Sequence, residues 1–167
     1  PSKFSLYLKF AESGNYWDQN NLGKCYKDGI GTEKDEKKAF DWFKKSAEAG
    51  NHLGQCNLAL CYRDEIGTQK NLLESLQWYM KPAENGSRFA QAILTTWFKE
   101  GVTAKEAAKE AFKWAEKSAR SGNPLGQCNL GICYEKGIGV EKNVEEAFQW
   151  YEKSARSGDK TGQCNLG

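Results

Sequence analysis

A tryptophan recurs every 36 residues in this chain, and this period constrains the fold more than any other feature of the sequence. The four copies are Trp42, Trp78, Trp114 and Trp150. Glycine and glutamine repeat at the same interval, at Gly14, Gly50, Gly86, Gly122 and Gly158 and at Gln19, Gln55, Gln91, Gln127 and Gln163. A fixed period of this length indicates a repeat array, in which each unit buries its apolar face against its neighbours.

The period divides the 167 residues into one array that no linker interrupts. The four full repeats are 14–49, 50–85, 86–121 and 122–157. Residues 1–13 match the second half of a preceding repeat, and residues 158–167 match the start of a further one. We therefore expect a single solenoid over 1–167, cut from a longer array at both ends.

Each repeat predicts two helices joined by a short turn. In the last full repeat, Leu130, Gly131 and Tyr134 share one face of a first helix. Ala147 and Trp150 have the same helical spacing in the second helix. The chain shows no sustained alternation of polar and apolar residues, so no strand is predicted. The expected fold class is all-α, with stacked helix-turn-helix repeats.

Capping residues and glycines mark the expected helix boundaries. Asn71 and Asn143 stand where a second helix should begin, each followed at the third position by glutamate, which is a capping box. Before them, Gly-Ile-Gly sequences supply a tight turn. We expect the isoleucines of these turns, Ile30 and Ile138, to be buried.

The repeat 86–121 departs from this pattern at its turn. Thr103 replaces the second glycine of the turn, and Ala107 replaces the Asp or Asn cap. Thr103 and Glu106 form an alternative capping box, followed by strong helix formers. We therefore expect the second helix of this repeat to begin near Ala104 and to be the longest. Neutral drift, with the ordinary turn retained, is the alternative.

The residues that recur in each unit resemble the Sel-1-like repeat. The last full repeat reads LGICYEKGIGV at 130–140, AFQW at 147–150 and KSA at 153–155. This family is a 36-residue relative of the tetratricopeptide repeat. The resemblance implies an α/α superhelical solenoid that serves as a protein-interaction scaffold in signalling and quality-control assemblies. In some eukaryotic proteins such arrays accompany protein kinase domains.

The residue types that carry catalysis are not arranged for it. The single histidine, His52, has no serine or cysteine nucleophile with a matching carboxylate in its flanking segments. With 24 basic against 22 acidic residues, the chain has no strongly basic character for nucleic acid. No apolar run approaches the roughly 20 residues of a membrane span. We expect no enzyme activity, no cofactor and no membrane insertion.

The cysteines occupy two repeat positions, both on first helices. These are Cys25, Cys61 and Cys133 at one position and Cys56, Cys128 and Cys164 at the other. The C-x4-C spacing turns the two thiols of a repeat about 140° apart, which is poor geometry for a shared metal. Successive first helices should lie roughly 8–10 Å apart, beyond comfortable disulfide reach. We expect six free thiols, no structural metal and a cytoplasmic location, with the nucleus as the alternative location. A metal or redox role is the alternative for the thiols.

A candidate binding site follows from the resemblance, because first helices line the concave groove of tetratricopeptide-like stacks. Residues at the groove positions vary between the repeats while the packing positions do not. The predicted groove residues are Trp17, Lys24, Leu53, Leu60, Arg63, Phe89, Thr96, Lys99, Ile132 and Glu135. Apolar anchors flanked by mixed charge suit an extended or helical peptide. A solvated face that binds nothing would vary in the same way, and is the alternative.

Two functional hypotheses remain open at this stage. The first is a non-catalytic interaction scaffold that binds a partner protein or peptide through the groove. The second is a regulatory or targeting array attached to an enzyme domain, such as a protein kinase, outside these residues. Self-association through the cut repeat ends is a further expectation.

Overall fold

The computed structural model describes residues 1–157, which form nine α-helices and no strand. In chain order they are α1 (Lys3–Glu12), α2 (Tyr16–Asp28), α3 (Glu36–Glu48), α4 (His52–Asp64), α5 (Leu72–Glu84), α6 (Arg88–Glu100), α7 (Lys105–Arg120), α8 (Pro124–Lys136) and α9 (Val144–Arg156). The predicted all-α class is confirmed, and the helices alternate as first and second members of successive repeats.

The chain forms two compact units, Pro1–Ser87 and Arg88–Gly167. In the first unit each helix from α1 to α5 packs on the next, and the first helices α2 and α4 also touch. In the second unit α7 packs on α8, α8 packs on α9, and α6 contacts α8. The boundary between the units falls at the beginning of α6, the first helix of the divergent repeat.

The two helices of a regular repeat approach closely because a small residue on the first helix faces an aromatic ring on the second. A Cβ atom added to Gly23 of α2 would lie 2.7 Å from the ring of Phe43 in α3. A Cβ atom added to Gly131 of α8 would lie 2.5 Å from the ring of Tyr151 in α9. Both separations are far below a normal contact, so a side chain at either glycine would force the ring above it to shift.

The predicted asparagine caps are confirmed, but the predicted capping boxes are not completed, because the N–H groups of Asn71 and Asn143 donate to the carbonyl oxygens of Tyr62 and Tyr134. The side chains of Asn71 and Asn143 each accept a hydrogen bond from the third residue of the following helix, at 3.0 Å. The turn residue Ile138 is buried as expected, but Ile30 is 57% exposed, so that prediction is wrong. The counterpart of Ile30 in the next repeat, Ile66, packs against the core around α3.

The second helix of the divergent repeat, α7, begins early, as predicted. It starts at Lys105 and has 16 residues, more than any other helix in the described part of the chain. The predicted capping box is not formed, because the N-cap residue is Ala104 and no side chain caps the helix there. The prediction that α7 begins early is therefore confirmed, but the capping box that was expected to cause the early start is absent.

Steric exclusion from the regular turn accounts for the early start. A Cβ atom at Gly67 would lie 2.0 Å from the carbonyl oxygen of Glu36. A Cβ atom at Gly139 would lie 2.4 Å from the carbonyl oxygen of Ala108. Thr103 occupies the equivalent position and cannot adopt that turn. The chain instead enters the helix early, through residues of high helix propensity.

Candidate partner-binding surface

The predicted groove residues of the first unit lie on two helices that contact each other. Trp17 and Lys24 project from α2, and Leu53, Leu60 and Arg63 project from α4. Trp17 is 52% exposed and Leu53 is 45% exposed. Lys24 is exposed, and the other two are half-buried. We call this set, with the residues between them, the α2–α4 surface.

A pair of amides joins the two helices beneath this surface. The Nδ2 of Asn57 in α4 donates a hydrogen bond to the Oδ1 of Asn20 in α2 at 2.8 Å. Asn20 is buried, whereas Asn57 is partly exposed. Because α3 returns between them, α2 and α4 run in the same direction. Their N-terminal anchors, Trp17 and Leu53, therefore lie at the same end of the surface.

The aromatic end of the surface rests on a fixed backbone. The rings of Tyr16 and Trp17 lie with their centroids 5.6 Å apart. The carbonyl oxygen of Tyr16 accepts hydrogen bonds from the hydroxyl of Ser46 at 2.7 Å and from the Nδ2 of Asn51 at 3.2 Å. These bonds tie the start of α2 to the end of α3 and to the cap of α4. An anchor held in this way loses little conformational entropy on binding.

Charges at the opposite end are mostly neutralised by their neighbours in sequence. Lys27 pairs with Asp28 at 3.0 Å, and Arg63 pairs with Asp64 at 2.8 Å. The hydrogen bond from Arg63 lowers the pKa of the Asp64 carboxyl below its ordinary value. Lys24 forms no ion pair with the residues that the structure describes. It is thus the cation of the α2–α4 surface that is left for an outside anion.

The second unit places its predicted groove residues differently. Phe89, on α6, is 61% exposed, and Lys99 is exposed at the far end of the same helix. The hydroxyl of Thr96 donates to the carbonyl of Ala92 within the helix, at 3.0 Å. These α6 residues present one large apolar side chain and one free-standing cation.

On α8, neither predicted residue is a free anchor. Ile132 is only 4% exposed, in contrast to the expectation of an accessible apolar contact. It lies in an unbroken buried run from Gly126 to Cys133, on a helix that contacts α6, α7 and α9. Glu135 is exposed, but its carboxylate accepts a hydrogen bond from the hydroxyl of Tyr151. Burial and, after it, this hydrogen bond raise the pKa of Tyr151 above its ordinary value.

The amide pair of the first unit has no counterpart in the second. Asn129 of α8 stands at the repeat position of Asn57, but Ala92 of α6 stands at that of Asn20. Asn129 is fully buried, and within residues 1–157 neither polar atom of its amide has a hydrogen-bond partner. An unsatisfied buried amide costs about 1–3 kcal/mol. The sequence analysis missed both Tyr16 and Asn57, although the asparagines at 21, 57 and 129 recur at the period of the repeat and could have been noticed.

The cysteines agree only in part with the prediction of six free thiols. Cys25, Cys56, Cys61 and Cys133 are free and buried. Burial raises the pKa of Cys61 and of Cys133 to about 12, so both are neutral thiols. Thiols in this state are weak nucleophiles and poor metal ligands.

The prediction is wrong at Cys128, which is disulfide-bonded; Cys164 lies outside the described residues. The sequence argument took the distance between helix axes as the distance between side chains. The Asn20–Asn57 hydrogen bond shows that side chains at this repeat position reach the next first helix. The expectation of a cytoplasmic location rested on six reduced thiols, and the Cys128 disulfide removes part of that support.

Two further features bear on the range of functions. Within residues 1–157, no three His, Cys, Asp or Glu side chains come together in a way that could hold a metal ion. None of the described helices is both long and apolar enough to cross a membrane. What the described residues do provide is a pair of first-helix surfaces, of which the α2–α4 surface carries the larger set of exposed anchors.

Stacked helix pairs with a 36-residue period define an all-α repeat solenoid. The Sel1 repeat model matches four segments of the chain, 18–51, 52–87, 97–123 and 124–159. The chain therefore belongs to the Sel1 repeat family, whose repeats are generally protein–protein interaction units. The match to the divergent repeat is the shortest, since it omits most of α6. No curated protein matches the sequence.

Two solved structures place the fold in the same family. A Sel1 repeat protein from Oxalobacter formigenes is 34% identical, with a TM-score of 0.61 over 95% of this chain. The second is c5321, a protective antigen present in uropathogenic Escherichia coli strains that displays an SLR fold. It is 39% identical, with a TM-score of 0.59 over 98% of this chain. The present chain covers 65% of the first structure and 35% of the second.

Proposed function

We propose that this chain is a non-catalytic binding module that holds a peptide segment of a partner protein on its first helices. The observation that carries the proposal is the exposure of Trp17 and Leu53, which lie at the same end of the α2–α4 surface. Exposed aromatic and aliphatic residues on a rigid support are typical centres of binding energy. The membership of the Sel1 repeat family supports the same role.

The proposal is tested by selecting peptides from a displayed random library on the full chain and measuring their affinities by fluorescence anisotropy. Trp17→Ala and Leu53→Ala should each weaken binding by about tenfold or more, as expected for anchor residues. Phe148→Ala is the matched control, because Phe148 is 54% exposed but lies on a second helix, α9. Peptides that bind equally well to all three variants would contradict the proposal.

The same surface would serve the alternative role, in which the array targets an enzyme domain of a longer protein. Both roles need a peptide-binding face, so the experiment above applies to each. The two roles differ in whether an enzyme domain is attached to the array. Sequencing the parent gene on both sides of this segment distinguishes them.

Self-association is a second candidate, favoured by apolar residues at two ends of the chain. Leu6 and Phe10 are exposed on α1, and Val144 and Phe148 are exposed on α9. At the repeat position of Phe148, Phe40 packs edge-on against Tyr62 of the next repeat at 5.4 Å. Sedimentation velocity at increasing concentration tests this candidate. Oligomers that Phe148→Lys abolishes would support it, and a monomer at all concentrations would contradict it.

A further inference from the structure

Three features of the α2–α4 surface stand in order along the helices. The aromatic and aliphatic anchors Trp17 and Leu53 occupy its N-terminal end. The partly exposed amide of Asn57 follows, one turn along α4. Lys24, which has no ion pair among the described residues, occupies the other end of α2. A ligand that lies along the helices would meet an apolar, a hydrogen-bonding and a cationic contact in turn.

The central amide has spare hydrogen-bonding capacity. Asn57 donates one hydrogen of its Nδ2 to Asn20, and its Oδ1 accepts no hydrogen bond from the residues that the structure describes. A primary amide offers two donor hydrogens and two acceptor lone pairs. A helical ligand satisfies its own backbone, whereas an extended peptide presents unpaired N–H and C=O groups. The free donor and acceptor of Asn57 therefore favour an extended ligand.

The charge pattern selects an acidic ligand residue at one place. Lys27 and Arg63 are each neutralised by the aspartate that follows them in sequence. Lys24 remains as the cation able to receive a carboxylate from outside. Trp17 and Lys24 are seven residues apart on one helix, a rise of about 10 Å. A peptide in the extended polyproline II conformation covers that distance in about three residues, at roughly 3.1 Å each, and its three residues per turn place positions i and i+3 on the same face.

We propose that the α2–α4 surface binds an extended peptide in which a bulky apolar residue and an acidic residue are three positions apart. The apolar side chain packs against Trp17 and Leu53, and the intervening backbone hydrogen-bonds to Asn57. The carboxylate pairs with Lys24. This inference rests on the proposed peptide-binding function and adds the sequence class of the partner.

The test uses peptides selected on the full chain, followed by charge reversal. The selected sequences should share an apolar and an acidic residue three positions apart. Lys24→Glu should weaken the binding of such a peptide by about tenfold at low salt, since it replaces an attraction by a repulsion. A peptide whose acidic residue is changed to lysine should bind Lys24→Glu better than it binds the unchanged chain. Lys44→Glu, on the second helix α3, makes the same change in net charge and should leave affinity unchanged.

The outcomes separate this inference from the proposed function. Peptides that depend on Trp17 but carry no acidic residue, or respond equally to Lys24→Glu and Lys44→Glu, would overturn the inference and leave the function standing. Apolar and acidic residues seven positions apart would indicate a helical ligand and also overturn it. Peptides insensitive to Trp17→Ala would contradict both.

Discussion

The helix pair α8–α9 and the helix pair α6–α7 follow the same repeat but are packed in different ways. In α8–α9, Gly131 lies under the ring of Tyr151, and the helices are in close contact. At the same positions α6–α7 has Thr95 and Ala115. With this exchange of residues the second helix loses its aromatic ring and the first helix gains a β-branched side chain. The helices α6 and α7 also approach each other less closely than α8 and α9 do.

The repeat tryptophan compensates for this exchange. In the regular second helices Trp42, Trp78 and Trp150 are half-buried, and each carries the ammonium of the lysine three residues later 4.0–4.2 Å from its ring centroid. In α7, Trp114 is only 6% exposed and stacks on Phe98 of α6, with the centroids 6.1 Å apart. A tryptophan that elsewhere covers the outside of the array here fills its core. When the residue type at one packing position of a repeat changes, the residue at a second packing position therefore changes its burial as well.

The largest expected loss of stability comes from placing a side chain at the second glycine of a regular turn, the repeat position that Thr103 occupies in the divergent repeat. In Gly67→Ala the new Cβ would lie 2.0 Å from a backbone oxygen of α3, which cannot move away without displacing the helix. We expect the free energy of unfolding to fall by about 3 kcal/mol or more. Urea denaturation followed by far-UV circular dichroism measures it.

Gly86→Ala is the matched control for that substitution. Gly86 also has a positive φ, of 88°, but its added Cβ would meet no atom within 4 Å. Its cost should be about 1 kcal/mol, from the backbone conformation alone. Equal losses in the two variants would show that the steric contact is relieved and that Thr103 does not explain the early start of α7.

The next largest change in stability is expected from substitutions that give α6–α7 the residues of the regular helix pair α8–α9. Ala115 is fully buried, so Ala115→Tyr alone should overpack the site and destabilise the chain by about 2–3 kcal/mol. Adding Thr95→Gly restores the small residue that stands at this repeat position in α8 and should recover about 1–2 kcal/mol of that loss. The difference is the coupling energy of a double-mutant cycle. Strictly additive effects would refute the exchange of sizes as the cause.

A smaller gain should follow from giving the second unit the amide pair of the first. Ala92→Asn places an amide at the position of Asn20, where it can bond to the unsatisfied amide of Asn129. We expect stability to rise by about 1 kcal/mol, measured by the same denaturation. In an Asn129→Leu background, which removes the buried amide, the same substitution should give no gain. A gain that persists there would assign the effect to something other than pairing.

The smallest effect concerns the ends of the first helices. Glu65, the residue after α4, has a left-handed φ of 59°, whereas Gly29 and Gly137 hold the same position after α2 and α8. Glu65→Gly should raise stability by up to about 1 kcal/mol because it removes the steric cost of that conformation. Gly29→Ala should lower it by a similar amount, since its Cβ would meet only ordinary contacts at 3.6 Å. Unchanged melting temperatures in both variants would contradict this account.

The sequence alone determined the period, the helix pairs, the caps and the family. These features depend on residues a few positions apart, and they repeat, so each signal could be checked several times along the chain. Asn71 and Asn143 cap their helices as predicted for this reason. The early start of α7 was also predictable, because Thr103 breaks a pattern that the other repeats establish.

Only the tertiary structure decided which predicted groove residues are accessible and which side chains meet across repeats. Ile132 occupies the repeat position of the half-buried Leu60, yet it is buried. Asn57 pairs with Asn20 because side chains on neighbouring first helices reach each other. Burial and reach depend on contacts between residues about 20 to 40 positions apart. Their distances are set by the sizes of facing side chains, such as Gly131 under Tyr151, and no local pattern in the sequence records that fit.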